Sequence, residues 1–273
     1  MASCLCTEGQ IVHALPEGEP VNGVTSLGEE IYVLRGKCDG NHIEVFDVNT
    51  YQLKRYLTVP NSCGFIDMTA CEHFRFLYIA DHNIDHIHRL NLQGNAEHWP
   101  VNAKPTSLSV NAKHNLIVTC YKVRKIKEFS PRGHLLRDVT LRDGAMNPWH
   151  VIQLASDHFL VCHCNKTSAD GGNQVCKVSA DGRQIVQSNR SHGIPVHMAV
   201  DNSGFVFVDD ITNRRVTLLS PELSPMRQVV SGHQLQWRPV RLYLDGKRHR
   251  LYVADNDIQG NKATKGRVVV VDV

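Results

Sequence analysis

A short segment rich in Val, Ile, Leu and Tyr recurs six times, and its period restricts this chain to very few folds. The six copies are Ile31-Tyr32-Val33, Leu77-Tyr78-Ile79, Leu116-Ile117-Val118, Phe159-Leu160-Val161, Phe205-Val206-Phe207 and Leu251-Tyr252-Val253. Steps from Tyr32 to Tyr78, Ile117, Leu160, Val206 and Tyr252 are 46, 39, 43, 46 and 46 residues. A strand-only repeat of about 40–50 residues predicts an all-β, six-bladed β-propeller, one blade per repeat.

Each repeat reads as four antiparallel strands. The inner strand follows a Pro or its equivalent, as in Pro105–Val110 and Pro195–Val200, and a turn such as Asp201-Asn202-Ser203-Gly204 leads to the apolar second strand. Arg215–Leu219 exemplifies the third strand and Met226–Val230 the more polar outer one. Near-continuous apolar second strands suit burial between neighbouring blades. The blades fall at about 21–60, 61–101, 102–141, 142–192, 193–232 and 233–273, in a single domain of 1–273. The last repeat lacks an outer strand, and a spare strand lies within 9–16. That segment is expected to complete the last blade, closing the ring and covering a sheet edge. Two connections between second and third strands are long, His163 to Gln174 and Asn256 to Gly266. Both are expected as loops on one rim, where insertions carry binding.

Composition leaves the partner open. The net charge of +3 permits acidic or nucleic-acid partners but does not require them. Nine cysteines are spaced irregularly, and Met1–Thr7 has no charged and apolar leader pattern. With no apolar run near the ~20 residues of a membrane helix, the expectation is a cytoplasmic protein with free thiols and no membrane contact. The sequons at Asn165 and Asn189 are then fortuitous.

The unit joining second and third strands carries a family resemblance. Blade 5 reads Phe207-Val208-Asp209-Asp210-Ile211-Thr212-Asn213-Arg214-Arg215-Val216, blade 6 Tyr252-Val253-Ala254-Asp255-Asn256, and blade 2 Tyr78-Ile79-Ala80-Asp81-His82-Asn83. This resembles the NHL repeat, with its Tyr-Val-Ala-Asp, Asn and Arg-Val positions. An Asp at the strand end can accept the exposed N–H groups of the turn, and the following Arg can pair with it. The resemblance implies a six-bladed propeller of the kind that binds RNA or protein at the C-terminus of TRIM-type proteins. More distant relatives include peptidylglycine α-amidating lyase, a zinc enzyme, and strictosidine-synthase-like hydrolases.

Counting two residues past the inner-strand Pro gives one position per blade: Ser26, Asp67, Ser107, His150, His197 and Arg241. These are expected to meet near the channel mouth. They are candidates for ligand binding, with His150 and His197 the catalytic candidates of a hydrolase or lyase. No cofactor is expected. If a channel metal ion is held, His150, His197 and Asp67 are its ligands, although zinc asks for about three protein ligands. The amidating-lyase zinc histidine directly follows the Pro, a slot held here by Thr106, Trp149, Val196 and Val240, so that mechanism does not transfer directly. A solvated channel mouth is the plain alternative.

The pair Cys162 and Cys164, with Cys176 on the next strand, lacks paired Cys-x-x-Cys knuckles and reads as free thiols rather than a zinc site. Lys122, Arg124, Lys125 and Lys127 form a basic run after Tyr121, and Arg35, Lys37, Arg214, Lys262 and Lys265 are further expected rim cations. Such a rim suits a protein or peptide partner, or alternatively single-stranded RNA; a solvated rim diluted by aspartates is the plain reading. Sixteen histidines are scattered, with His86 and His88 sharing one strand face. The expected module is a monomeric propeller that recognises a protein or peptide at its rim.

Overall fold

The computed structural model describes residues 8–36, 41–59, 64–142, 147–163, 173–190, 193–260 and 262–273. They form six four-stranded antiparallel sheets arranged as a ring. From inner to outer strand, blade 1 comprises Val21–Leu27, Glu30–Arg35, His42–Asp47 and Leu53–Leu57. Blade 2 comprises Phe65–Cys71, Phe76–Asp81, His86–Asn91 and Ala96–Pro100. Blade 3 is Ser107–Val110, Leu116–Cys120, Lys125–Phe129 and Leu135–Thr140; blade 4 is Pro148–Gln153, Phe159–His163, Gln174–Val178 and Ile185–Arg190. Blade 5 is Met198–Val200, Val206–Asp210, Arg215–Leu219 and Pro225–Val230. Blade 6 is built from Arg238–Asp245, Arg250–Gln259 and Lys262–Asp272, with Ile11–Ala14 as its outer strand.

The N-terminal strand therefore closes the ring, with Ile11 opposite Val271 and Ala14 opposite Val269. Successive side chains of a second strand point to opposite faces, and each face packs on a different neighbour. Tyr78 and Ala80 join a cluster with Leu108, Leu116 and Val118 of blade 3, whereas Leu77 and Ile79 pack with Tyr32, Leu34 and Ile43 of blade 1. Each blade interface holds its own apolar cluster. The core is thus a ring of six interfaces around a central axis.

Two local expectations change, and a third falls largely outside the described residues. The Asn256–Gly266 connection is largely strand, because the ladder continues through Asp257 opposite Lys265 to Gln259 opposite Lys262. Of the blade 4 connection, 164–172 lies outside the described residues, including Cys164 and the Asp170-Gly171-Gly172 stretch. Arg35 is no rim cation. It is 1% exposed and donates to the Pro16, Glu19 and Gly266 carbonyls and to the Glu44 carboxylate. It ties the closing segment and the blade 6 hairpin to blade 1.

The Asp-Asn-Arg turn unit behaves as its chemistry suggests. Asp210 accepts the Asn213 backbone and side-chain N–H groups and pairs with Arg215 at 3.1 Å. Asp255 accepts the amides of Gln236 and Trp237 and pairs with Arg267 at 3.1 Å. Asp81 accepts the Asn83 amide at 3.0 Å.

Candidate functional site

The inner strands of blades 1, 2, 4 and 6 each carry a register shift near their start, between Val21 and Gly23, Phe65 and Asp67, Pro148 and His150, and Pro239 and Arg241. At such a bulge two residues oppose one, and strict alternation of side chains lapses. The residue just past the shift occupies the ring position. Asp67 lies opposite Ala80, Ser107 opposite Thr119, His150 opposite Cys162 and Arg241 opposite Ala254. In blade 5, the His197 carbonyl accepts the Asp209 amide at the corresponding level. The matching residue of blade 1 is Gly23, opposite Leu34. Ser26, expected there, sits three residues further along. Its hydroxyl lies 3.0 Å from the Tyr243 hydroxyl and donates to Asp245 at 3.3 Å. Counting from a Pro equivalent missed this because blade 1 has no Pro at its bulge.

Of the five remaining ring residues, Asp67, His150, His197 and Arg241 are bonded to one another and to neighbouring blades, whereas the buried Ser107 Oγ and His150 Nε2 have no hydrogen-bond partner among the described residues. In blades 3, 5 and 6 the amide one residue past the ring position faces the ring side chain of the preceding blade. Leu108 N–H donates to Asp67 Oδ2 at 2.8 Å, Met198 N–H to His150 Nδ1 at 3.2 Å, and Leu242 N–H to His197 Nδ1 at 3.3 Å. Innermost strands have one unpaired edge, and these side chains supply acceptors that the edge would otherwise lack. Gly23 presents no side chain, and Arg241 reaches past blade 1 to blade 2. It donates to the Asn22 carbonyl at 3.0 Å, to Asp67 Oδ1 at 3.1 Å and to the Ile66 carbonyl at 2.7 Å.

Asp67 also lies 3.9 Å from His197 Nε2. Blades 2 and 5 are opposite each other in a six-membered ring, so these side chains meet across the axis. His150 and His197 stack with ring centres 3.7 Å apart. Both imidazoles accept at Nδ1, which places the proton of the neutral form on Nε2. Burial, reinforced by the Arg241 charge, pushes His150 down to about 3. Burial followed by the neighbouring His150 moves His197 in the same direction. Burial pushes the Asp67 carboxyl above its ordinary range, opposed chiefly by Arg241. Beside the ring, Asp209 accepts the Val196 and His197 amides, each at 2.8 Å, and burial raises it to about 8.

This set does not fit a metal ion. Both histidine Nδ1 atoms are engaged by backbone donors, and the rings lie nearly parallel instead of converging. Among the described residues no group of three or more His, Cys, Asp or Glu side chains has ligating geometry as it stands. Cys162 and Cys176 face different blade interfaces and are free, buried thiols, as are Cys71 and Cys120. Burial raises Cys120 and Cys176 to about 12.

Around the mouth, the turns between second and third strands share one end of the propeller. Lys122 is exposed in a single 3-10 turn, Tyr121–Val123, and the exposed Arg124 caps it at φ +57. Neither makes an ion pair with a described residue. Lys125 and Lys127 do, both to Asp138, and the Lys127 side chain is buried. Arg214 is exposed and donates to the Gly232 carbonyl at 2.9 Å. Lys265 pairs with Glu17 at 3.0 Å. Ile84 and Val123 sit exposed at the turn tips of blades 2 and 3, and Trp149 contacts Tyr121 with ring centres 5.1 Å apart. The apolar tips were not singled out from sequence, since one Ile or Val in a polar turn carries no periodicity.

No protein-family model matches the sequence, and no curated protein is similar to it at a significant level. Solved structures do resemble it. A streptogramin B lyase has 13% identity and a TM-score of 0.63, covering 94% of this chain and 85% of its own. Virginiamycin B lyase from Staphylococcus aureus has 10% identity and a TM-score of 0.64, covering 97% of this chain and 100% of its own. A Bacteroides caccae protein of unknown function has 15% identity, a TM-score of 0.64 and coverage of 86% and 85%. The chain is a six-bladed propeller. At such identities the likeness is one of fold, and NHL membership is not shown by it. No helix among the described residues is long and apolar enough to cross a membrane.

Proposed function

We propose that this chain is an NHL-type binding module that takes an acidic protein segment on the face formed by its turns between second and third strands. The observation that carries the reading is the side-chain bridge across the axis. Asp67 of blade 2 meets His197 of blade 5 at 3.9 Å, while Arg241 spans blade 1. Groups that serve one another as partners are poorly placed to do chemistry on a substrate, and an imidazole held as low as His150 is a weak base. Recognition is therefore assigned to the face. There Lys122, Arg124 and Arg214 lie exposed, with Ile84 and Val123 as apolar tips. Interspersed cations and small apolar contacts suit an extended Glu/Asp-rich peptide with one hydrophobic anchor. A reducing, cytoplasmic setting is part of the proposal, in keeping with the buried free thiols of Cys71, Cys120, Cys162 and Cys176 among the described residues. The lyases among the structural neighbours share the fold only, and their activities are not carried over.

Fluorescence anisotropy with a labelled Glu-rich peptide bearing one Leu, and with labelled oligo-uridine of equal length, tests this. The expected result is peptide binding that weakens with salt and drops about tenfold in Lys122→Glu/Arg124→Glu. Val123→Asp should weaken it similarly. Peptide binding indifferent to all three changes would overturn the assignment of the face. Tighter binding of the RNA, with a steep salt slope, would replace the peptide by RNA.

A further inference from the structure

One slot near the end of the second strands holds a charged or titratable side chain in blades 1, 2, 4 and 6. Arg35, Asp81, His163 and Asp255 each lie opposite the residue just before the register shift, which is Val21, Phe65, Pro148 and Pro239. Arg35 serves four acceptors, Asp81 takes the Asn83 amide, and Asp255 takes two amides and Arg267. His163 is wholly buried, yet neither ring nitrogen has a hydrogen-bond partner among the described residues. Alternation aims it at blade 3, since Phe159 and Val161 of the same strand belong to the cluster between blades 3 and 4 and no shift intervenes before His163. Thr119 answers from the other side. It lies opposite Ile126 and two residues past Ile117, both in that cluster, and its buried hydroxyl has no partner either.

Trp149 adds a third unanswered group. It adjoins Pro148, which lies opposite His163, its ring meets Tyr121 of blade 3 at 5.1 Å, and its buried Nε1 has no partner among the described residues. Thr119 stands three residues before Lys122, so these atoms lie at the turn end of the interface, next to Lys122, Val123 and Arg124. An unpaired buried polar atom costs stability, and several at one interface point to a group supplied from outside. Burial holds the His163 imidazole neutral, down at about 4. It therefore offers one donor and one acceptor, Thr119 offers both, and Trp149 donates. With no countercharge among the three, an ion would enter unpaired, whereas a carboxamide brings an acceptor oxygen and a donor N–H2 without charge. We propose that Thr119, His163 and Trp149 form a binding site between blades 3 and 4 for a carboxamide side chain, Gln or Asn, of the peptide taken on the face. The site deepens that peptide recognition and rests on it. Entry requires neighbouring rings to move, and Tyr121 and Trp149, half-buried and tilted by 42° instead of stacked, are the pair placed to part.

Anisotropy with the Glu-rich, single-Leu peptide, changed from Glu to Gln at one position at a time, tests the site. On a cationic face each such change should weaken binding. At the position above the interface the sign should invert, with Gln bound about three- to tenfold tighter than Glu. Thr119→Val and His163→Phe should each restore the ordinary order there and leave the dependence on Lys122 and Arg124 intact. Thr119→Val removes an unpaired buried hydroxyl and should not lower the melting temperature, so the test does not hinge on folding. Propionamide, the side-chain fragment alone, gives a readout that needs no peptide. It should shift the Trp149 indole N–H resonance saturably in the unmodified chain and not in Thr119→Val/His163→Phe. Weakening at every peptide position, an inversion that survives both substitutions, or no saturable propionamide shift would overturn the site. Peptide binding indifferent to Lys122→Glu/Arg124→Glu would instead overturn the face, and the propionamide shift would still decide the interface site.

Discussion

Replacing Arg35 by Met should loosen the ring where the chain closes on itself. The Arg35 guanidinium is buried and serves four acceptors: the Glu44 carboxylate and the carbonyls of Pro16, Glu19 and Gly266. Methionine fills much of the volume but leaves the mostly buried Glu44 without its charge partner and three carbonyls without a donor. Removing one member of a buried pair costs about 3–5 kcal/mol, because the other charge stays behind. One carbonyl is partly compensated, since Gly266 also accepts the Gly18 amide at 3.0 Å. At about 2–4 °C per kcal/mol for a chain of this size, the melting temperature should fall by on the order of 10 °C. Urea unfolding followed by tryptophan fluorescence gives the free energy. A second variant, Arg35→Met/Glu44→Leu, should recover part of the loss, leaving about 1–2 kcal/mol for the carbonyls. Hydrogen exchange locates the effect: the Leu15 amide, bonded to the Val268 carbonyl at 2.8 Å, should lose protection before the second-strand amides. A loss below about 1 kcal/mol in the single variant, or loosening spread evenly around the ring, would refute the view that Arg35 clasps the closure.

Acidification should destabilise the fold through the histidine pair. His150 is held at about 3 and His197 is shifted the same way, whereas an unfolded histidine titrates near ~6.5. The unfolded chain thus binds the extra protons, and stability is lost as pH falls from ~6.5 toward 3, by up to ~1.4 kcal/mol per pH unit for each histidine. His150→Gln should show a shallower slope of unfolding free energy between pH 6.5 and 4. Gly23→Ala should cost about 1–3 kcal/mol in chemical unfolding, since a Cβ there would meet the Met68 Cβ and amide nitrogen at 2.8 Å. Asp255→Ala removes the acceptor for the Gln236 and Trp237 amides and the partner of Arg267. It should cost about 3 kcal/mol by the same measurement, and Asp255→Asn visibly less.

Much of this architecture is written in local chemistry. The period of the apolar segments, the Asn- and Gly-bearing turns and the Asp–Arg pairs are relations among residues close in sequence, so the strands of each blade can be read off directly. The missing outer strand of the last repeat and the spare one at the N-terminus even disclose how the ring closes, because an unpaired edge demands a partner. The candidate ring was legible in five blades for a similar reason, a fixed offset from the Pro, or its equivalent, that opens each inner strand.

What the sequence could not supply are relations between blades. Gly23 rather than Ser26 holds the ring position because a register shift, invisible to counting, decides which side chain faces inward. Arg35 reads as one more surface cation until the closing segment folds over it, since burial of a charge depends on acceptors contributed by residues 16, 19 and 266. The two channel histidines looked like chemistry because their backbone donors come from the next blade, 48 and 45 residues away. Sequence by itself determined the propeller and its closure, through periodicity and unpaired edges. Tertiary structure alone decided which polar groups answer one another across the interfaces and which remain free for a partner, because in a ring those acceptors and donors always belong to different blades.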